Sequence, residues 1–360
     1  MRTATAGDAI LRDLRRLSGV LALHCAALAA LVLAACAPRQ DPVIEVTGPT
    51  MGTYYSVKVP RPPAGVDGEG LRAGIEGVLA QVIAEISTYD PGSELSRLNA
   101  NPSTDWIPVS PDLLAVLTEG QRISALSGGA FDITVGPLVN LWGFGPEAKS
   151  DAVPPPEAIR SALARVGYHK IELRSVPPAV RKQRGDLSID LSALGEGYGA
   201  DRMAAYLESR GITDYMAAVA GTIRARGKNA RGEDWGIAVE EPSAGRRLVQ
   251  RVLPITDAAV STSGDYRNFF EEGGRRYSHH IDPRTGQSVA HRLASTTVVL
   301  PDGPHSAMRA DGLATALIVM GERKGPALAQ EQGLVAYFIV REEAGFREVG
   351  SPAFEARQAP

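Results

Sequence analysis

No cysteine follows Cys36 in a chain of 360 residues, so whatever folds after that position is held by its hydrophobic core, without a disulfide. The only other cysteine, Cys25, lies inside an almost unbroken apolar run from Leu17 to Ala35. Arg12, Arg15 and Arg16 precede that run and Leu33-Ala34-Ala35-Cys36 closes it. A basic stretch, an apolar stretch and a small-residue cleavage site stand in the order of an export signal. The closing four residues have the form of a bacterial lipobox, whose cysteine is acylated and becomes the new N-terminus. Residues 1–36 are therefore expected to be a lipoprotein signal peptide, with Cys36 the lipidated residue. The mature chain is expected on the periplasmic side of a bacterial membrane, inner or outer, anchored in the lipid. A single transmembrane helix is the alternative, because the run nearly spans a bilayer. Arg15-Arg16 fits a twin-arginine signal poorly.

A composition 44% hydrophobic and 22% charged is that of a globular protein rather than a disordered one. The formal net charge of -3, with no lysine- or arginine-rich stripe, argues against nucleic acid as a partner. Residues 37–42, with Pro38 and Pro42, read as a tether, and residues 43–355 as one enzyme domain. Alternation at Tyr55, Val57 and Val59 predicts a half-buried strand. Ile75, Val78, Leu79, Val82, Ile83 and Ile86 predict a helix from Leu71 that stops before Asp90-Pro91-Gly92. Ser110-Pro111 opens another, with Leu114, Leu117 and Leu126 on its apolar face and Gly128-Gly129 behind it. Further helices are expected at 156–166, 196–209 and 307–319. Strands are expected near 168–174, 186–191, 235–240, 251–262, 276–281, 294–300 and 334–340. Strands mixed irregularly with helices indicate an α+β class with mixed, largely antiparallel sheets and flanking helices.

Four segments carry chemistry. Ser127-Gly128-Gly129-Ala130-Phe131-Asp132, with Trp142-Gly143-Phe144 behind it, combines a turn that allows close backbone approach with flat apolar surface. Asp190-Leu191-Ser192-Ala193-Leu194-Gly195-Glu196-Gly197-Tyr198 passes from extended chain into a helix, whose free N–H groups and dipole suit an anionic phosphate. It is neither a Walker A loop nor a dinucleotide-binding Gly-x-Gly-x-x-Gly. Ser261-Thr262-Ser263-Gly264-Asp265-Tyr266, leading through Arg276-Tyr277-Ser278-His279-His280-Ile281-Asp282-Pro283-Arg284-Thr285-Gly286, offers a general base, and on a strand only one of the two histidines faces a given site. Asp311 and Thr315 share one helix face. A carboxylate and a hydroxyl so placed supply two oxygen ligands for Mg²⁺, or else an acidic first turn and a back-bonded threonine.

In this order the segments resemble the ApbE family of FAD:protein FMN transferases. The likeness begins at Thr50-Met51-Gly52-Thr53-Tyr54-Tyr55, passes through Tyr89-Asp90-Pro91-Gly92-Ser93-Glu94-Leu95, and covers nearly the whole mature chain. It implies a two-lobed T-fold-like architecture with FAD in the cleft, held by Met51, Tyr89, Ala130, Phe131, Asp132, Asp190, Glu196 and Ile281. It also implies Mg²⁺ on the Ala193 carbonyl, Asp311 and Thr315, and His279 as the active-site histidine. The implied partner is an acceptor protein with a Thr or Ser flavinylation site. Many members of the family carry lysine at the place of Glu196, Gly-Gly and a polar residue where Ala220-Gly221-Thr222 stands, and some a second carboxylate at Ala314. An FAD pyrophosphatase giving FMN and AMP, or a flavin-binding lipoprotein without turnover, would share the same pocket.

Overall fold

A computed structural model describes residues 43–147, 151–243, 245 and 248–358. The expected signal peptide, Cys36 and the tether at 37–42 lie outside the described residues. Among the described residues no helix is long and apolar enough to cross a membrane.

The chain opens as a hairpin of β1 (Val43–Thr50) and β2 (Thr53–Pro60), paired so that Thr50 meets Thr53. That register leaves Met51 and Gly52 as a two-residue turn with φ of 48° and 73°, the doubly left-handed pair that matches strand twist. Helix α1 (Gly68–Ile86) is capped by Asp67 and buries Leu71, Ile75, Leu79, Val82 and Ile86 at the expected spacing. Then come α2 (Glu94–Ala100), β3 (Ile107–Pro108) and α3 (Pro111–Leu126), the last capped by Ser110 with proline in its first turn as expected. They lead to α4 (Gly136–Leu141), α5 (Pro156–Leu163), β4 (Ile171–Ser175), β5 (Pro178–Lys182) and α6 (Ser192–Ser209). Six strands and ribbons follow: β6 (Tyr215–Val219), β7 (Thr222–Arg226), β8 (Trp235–Glu240), β9 (Val249–Ile255), β10 (Ala258–Gly264) and β11 (Phe269–Glu272). The rest is β12 (Arg275–Ser278), β13 (Ile281–Asp282), β14 (Gln287–Ser288), β15 (Leu293–Pro301), α7 (Ser306–Glu331), β16 (Val335–Glu342), β17 (Gly345–Gly350) and α8 (Pro352–Gln358).

Eight strands form one sheet in the order β1-β2-β6-β7-β10-β15-β16-β17, with antiparallel neighbours throughout. The α+β expectation holds. Over one face lie α6 and α7, whose Leu194, Tyr198, Leu313 and Leu317 share a core with Val298 and Phe338 of the sheet. The small sheet β3-β5-β4 and α3 extend that core through Val180, Leu113 and Leu117. The other face is covered by the β8–β9 ribbon and α8, through Trp235, Leu253 and Phe354 against Tyr337 and Ile339. Apolar side chains on both faces explain why β16 reads as a continuous hydrophobic run from Val335 to Val340.

Several expected boundaries move. The strand expected at 186–191 is irregular chain that leaves a turn at Asp186 and has no strand partner. Asn99 alone accepts from the Ile189 N–H and donates to the Ile189 carbonyl, each at 2.8 Å, and Asp190 N–H goes to Ile133 O. The stretch at 251–262 is two strands in different sheets, broken at Asp257 with φ of 44°. The stretch at 276–281 divides between β12 and β13 in separate ribbons. The helix expected from 196 begins at Ser192, and that expected at 307–319 continues to Glu331 through a break at Gly321.

Where α6 crosses α7 there is no room for a side chain. A Cβ on Gly197 would stand 2.3 Å from the Ala307 carbonyl oxygen and 2.5 Å from Met308 Cα, both backbone atoms. Gly197→Ala must therefore separate the helices, and a loss of about 3 kcal/mol is expected, the upper end of what overpacking costs. A lowered urea midpoint with unchanged slope checks this; an unchanged midpoint refutes it.

A candidate active site between two helices and a strand of hydroxyls

Asp311 and Thr315 lie on the face of α7 that meets β10. Ser261 Oγ donates to Asp311 Oδ1 at 3.2 Å, and Ser263 Oγ stands 3.2 Å from Thr315 Oγ1. The strand's period of two thus meets the helix's period of four, and hydroxyl faces carboxylate and hydroxyl in register. On the next strand, Thr222 Oγ1 is 2.7 Å from Ser261 Oγ. Asp311 Oδ2 accepts the Gly197 N–H at 3.0 Å. In a regular helix that N–H serves the carbonyl four residues earlier, which is Ala193. The first turn of α6 and the second turn of α7 so bring Ala193 and Asp311 together around one backbone donor.

Glu196 completes this region, its carboxylate pushed up to about 7 by burial, against the opposing pull of the Gly221 N–H and Arg267. Asp311 is raised well above the usual carboxylate range by its own burial and by the charge of Glu196. Two such carboxylates with hydroxyls and carbonyls around them want a cation. Among the described residues no three His, Cys, Asp or Glu side chains gather as a metal cluster. An oxygen-only set with one or two carboxylates, completed by water and a phosphate, is what Mg²⁺ accepts.

Because both folded-state values are raised, the pair's contribution to stability is full at acidic pH and is lost as pH rises through about 7. Metal-free protein is therefore expected to lose up to about 3 kcal/mol between pH 5 and pH 8, with the pair titrating as a unit. Millimolar Mg²⁺ should remove most of that decline. Urea titrations at several pH values with EDTA or Mg²⁺ measure it, and a pH-independent midpoint in EDTA would contradict it.

Beside this oxygen-lined region stands an aromatic wall. Trp142 is fully buried and donates from Nε1 to Gly286 O at 2.8 Å. Phe144 stacks on Phe270 with centroids 5.9 Å apart, Phe270 on Tyr277 at 5.3 Å, and Ile281 is buried in the same cluster. His279 meets Phe144 edge-on at 6.3 Å. The expectation that His279 and His280 point to opposite faces fails, because both lie past the end of β12 and their rings sit 4.0 Å apart. His279 Nδ1 is 3.1 Å from Asn268 O and His280 Nε2 is 3.3 Å from Gly264 O, the end of β10. Burial lowers both imidazoles, so they are neutral at pH 7. With Nδ1 of His279 donating to a carbonyl, its Nε2 carries the lone pair.

The remaining predicted residues fall around these two regions. Tyr89 is 63% exposed, and its hydroxyl donates to Phe144 O at 3.1 Å. Its phenol is raised by burial and by Asp190 nearby. Asp190 caps the entry to α6 by accepting the Ser192 N–H. It lines a cavity of about 250 Å³ with Thr88, Asn99, Asn140 and Ser188. Met51 lies over α6, with Cε 3.2 Å from where a Cβ on Gly199 would be. Ala130 and Phe131 are buried. Both Asp132 oxygens are already engaged, by Thr134 N and Oγ1 and by Tyr168 N, so this carboxylate organises its loop. The sequence marks Ser261 and Ser263 as part of a chemistry-bearing segment and Thr222 as part of a departure from the family pattern, but assigns none of the three a role; their pairing with Asp311 and Thr315 depends on strand and helix registers that no local pattern gives.

The ApbE family model matches residues 51–339, a span that holds every residue of the two regions. The FAD:protein FMN transferase of Vibrio cholerae serotype O1 is 43% identical over 329 residues, 91% of this chain and 97% of that protein. That of Escherichia coli K12 is 38% identical over 340 residues, 91% and 95% of the two lengths. Among solved structures, the flavin transferase ApbE from Vibrio cholerae superposes with a TM-score of 0.80 at 41% identity, covering 88% of this chain and 99% of that one. The flavinyl transferase ApbE of Pseudomonas stutzeri in its apo form gives 0.80 at 39%, covering 89% and 98%. Agreement of this extent, in sequence and in fold, means that the chain belongs to the ApbE family.

Proposed function

We propose that this protein is a Mg²⁺-dependent flavinyltransferase that moves the FMN part of FAD onto a Thr or Ser hydroxyl of an acceptor protein, releasing AMP. The observation that carries the reading is the register of Asp311 and Thr315 of α7 against Ser261 and Ser263 of β10, with the Gly197 N–H of α6 on Asp311; a neutral, half-buried His279 follows the end of β12. Met51, Tyr89, the backbone of Ala130, Phe131 and Asp132, Asp190, Glu196 and Ile281 would hold the FAD. Mg²⁺ held by Ala193 O, Asp311 and Thr315 would supply charge neutralisation on the pyrophosphate, making AMP an acceptable leaving group.

The chain's own residues then do the rest. His279 Nε2 receives the acceptor hydroxyl's proton as its oxygen bonds to the FMN phosphorus. The bond between that phosphorus and the bridging oxygen breaks, and the oxygen leaves with AMP. The product is an FMN phosphoester on the acceptor. Trp142, Phe144 and Phe270 shield one side of the cleft from water, which competes for the same phosphorus. Lipidation at Cys36 would hold the enzyme on the periplasmic side of a membrane, near membrane-bound or periplasmic redox subunits as acceptors.

The test incubates the chain from Ala37 with FAD and Mg²⁺, with and without an acceptor bearing a Ser/Thr site, following AMP and protein-bound flavin together. AMP matched by flavin on the acceptor supports transfer. AMP with free FMN regardless of acceptor replaces transfer with hydrolysis, and bound FAD without AMP reduces the protein to a flavin binder.

A further inference from the structure

Helix α7 carries Asp311 and Thr315, yet its N-terminus has no cap of its own. The residue before it, His305, sits at φ of 59° and makes no side-chain cap bond. The cap comes from the neighbouring helix. Asp201 of α6, only 5% exposed, accepts the Ala307 N–H at 3.2 Å on Oδ1 and the Met308 N–H at 2.9 Å on Oδ2. A carboxylate at that place meets two of the free donors and the positive end of the helix dipole.

Asp201 is itself held. The side chain of Arg224, from the adjoining strand β7 and 8% exposed, donates to Asp201 Oδ1 at 3.3 Å, to Asp302 Oδ1 at 2.7 Å and to Glu208 Oε1 at 3.3 Å. Asp302 ends the segment that enters α7, its N–H on Asp257 O. Tyr215 OH donates to Glu208 at 2.6 Å. One arginine so ties α6, the sheet and the entry to α7.

The position of this cluster gives it a role in the site. Asp201 lies four residues after Gly197, on the same face of α6, and Met308 lies three residues before Asp311, on the same face of α7. Two bridges therefore run in parallel between the helices: Gly197 N–H to Asp311, and Asp201 to the α7 N-terminus, with Gly197 pressed on Ala307 O between them. Together they fix how far α7 is advanced along α6. Ala193, on one helix, and Asp311, on the other, are set apart by that advance alone.

The geometry points to Asp201, braced by Arg224 and Asp302, as a positioning residue that sets the spacing of the cation's ligands without touching cation or substrate. This rests on the Mg²⁺ reading of Ala193, Asp311 and Thr315. Neither Asp201 nor Arg224 faces the aromatic wall, so binding of the flavin should not depend on them.

The test uses Asp201→Asn, which keeps the side chain's shape and removes its charge and one acceptor. Mg²⁺ is titrated calorimetrically without FAD, and the Mg²⁺ and FAD dependence of AMP release is measured on the same preparations. About a tenfold weaker Mg²⁺ constant is expected in both measurements, with kcat at saturating Mg²⁺ and the KM for FAD each within twofold of the parent. Should Asp201→Asn fail to fold, Asp302→Asn leaves the cap in place and loosens only its brace, with a shift of about threefold in the same direction expected. An unchanged Mg²⁺ constant, or loss spread equally over kcat and the FAD constant, overturns the positioning role. Parent protein that neither binds Mg²⁺ nor needs it overturns the cation reading as well, and so separates the two failures.

Discussion

Asp311→Ala is expected to lower FMN transfer by about 10³-fold or more, the order of effect when a preorganised charge-stabilising group is removed from a phosphoryl site. The carboxylate has two protein donors, Ser261 and Gly197, and among the described residues no arginine or lysine pairs with it, so a cation brought in would be its first positive partner. Removing it should leave the core intact, since Asp311 is held by hydrogen bonds rather than apolar packing. Metal-free stability at pH 8 should in fact rise, because the charge of Glu196 would no longer face a second buried carboxylate. The two readings separate function from folding: AMP release collapses while the urea midpoint in EDTA at pH 8 moves upward. Activity above a tenth of the parent would remove Asp311 from the chemistry, and a flavin binder without turnover would keep its FAD affinity in this variant.

The same site shows what a sequence can and cannot convey. Asp311 and Thr315 were legible because four residues along a helix is a local relation, fixed by the helix itself. The helix at Ser110-Pro111 was legible for the same reason, since a cap and its first turn are neighbours in the chain. Residues 186–191 read as a strand but are irregular chain whose Ile189 is bonded to Asn99, a side chain 90 residues away; nothing local distinguishes the two. The histidine pair was misread because alternation holds only inside a strand, and β12 ends at Ser278. Asp201 is the extreme case. In the sequence it is an unremarkable polar residue in mid-helix, and its meaning lies entirely in two N–H groups more than a hundred positions later.

Glu196 raises a related point about charge. It stands beside Asp311 with its value pushed up to about 7, and Arg267 is a cation that bears on it. On the Mg²⁺ reading proposed above, a pyrophosphate beside these two carboxylates would need its charge neutralised by the bound cation, so the expected order of binding is Mg²⁺ first, or Mg²⁺ together with FAD. Helix dipole and free N–H groups at the start of α6 assist but supply only partial charge.

His279→Ala is expected to lower kcat by about 10²-fold, the lower part of the range for loss of a positioned base, with little change in FAD binding. The ring touches Phe144 and His280 and donates from Nδ1 to the Asn268 carbonyl, leaving Nε2 as the free lone pair. Burial holds the imidazole below its ordinary value; it is a competent base at neutral pH and loses that competence only on the acidic side of 6.5. At Mg²⁺ concentrations that keep Glu196 and Asp311 ionised across the range, the parent should therefore show kcat falling toward acidic pH below 6.5, and the alanine variant should lose that limb while keeping a low, flatter rate. Added imidazole, small enough for the space left beside Phe144, should restore part of the rate in the variant and none in the parent. A merely structural histidine predicts otherwise: a lowered urea midpoint, an unchanged pH profile and no response to imidazole. If the limb persists in His279→Ala, the proton is taken by another group, and His280, 4.0 Å away, is the residue to substitute next.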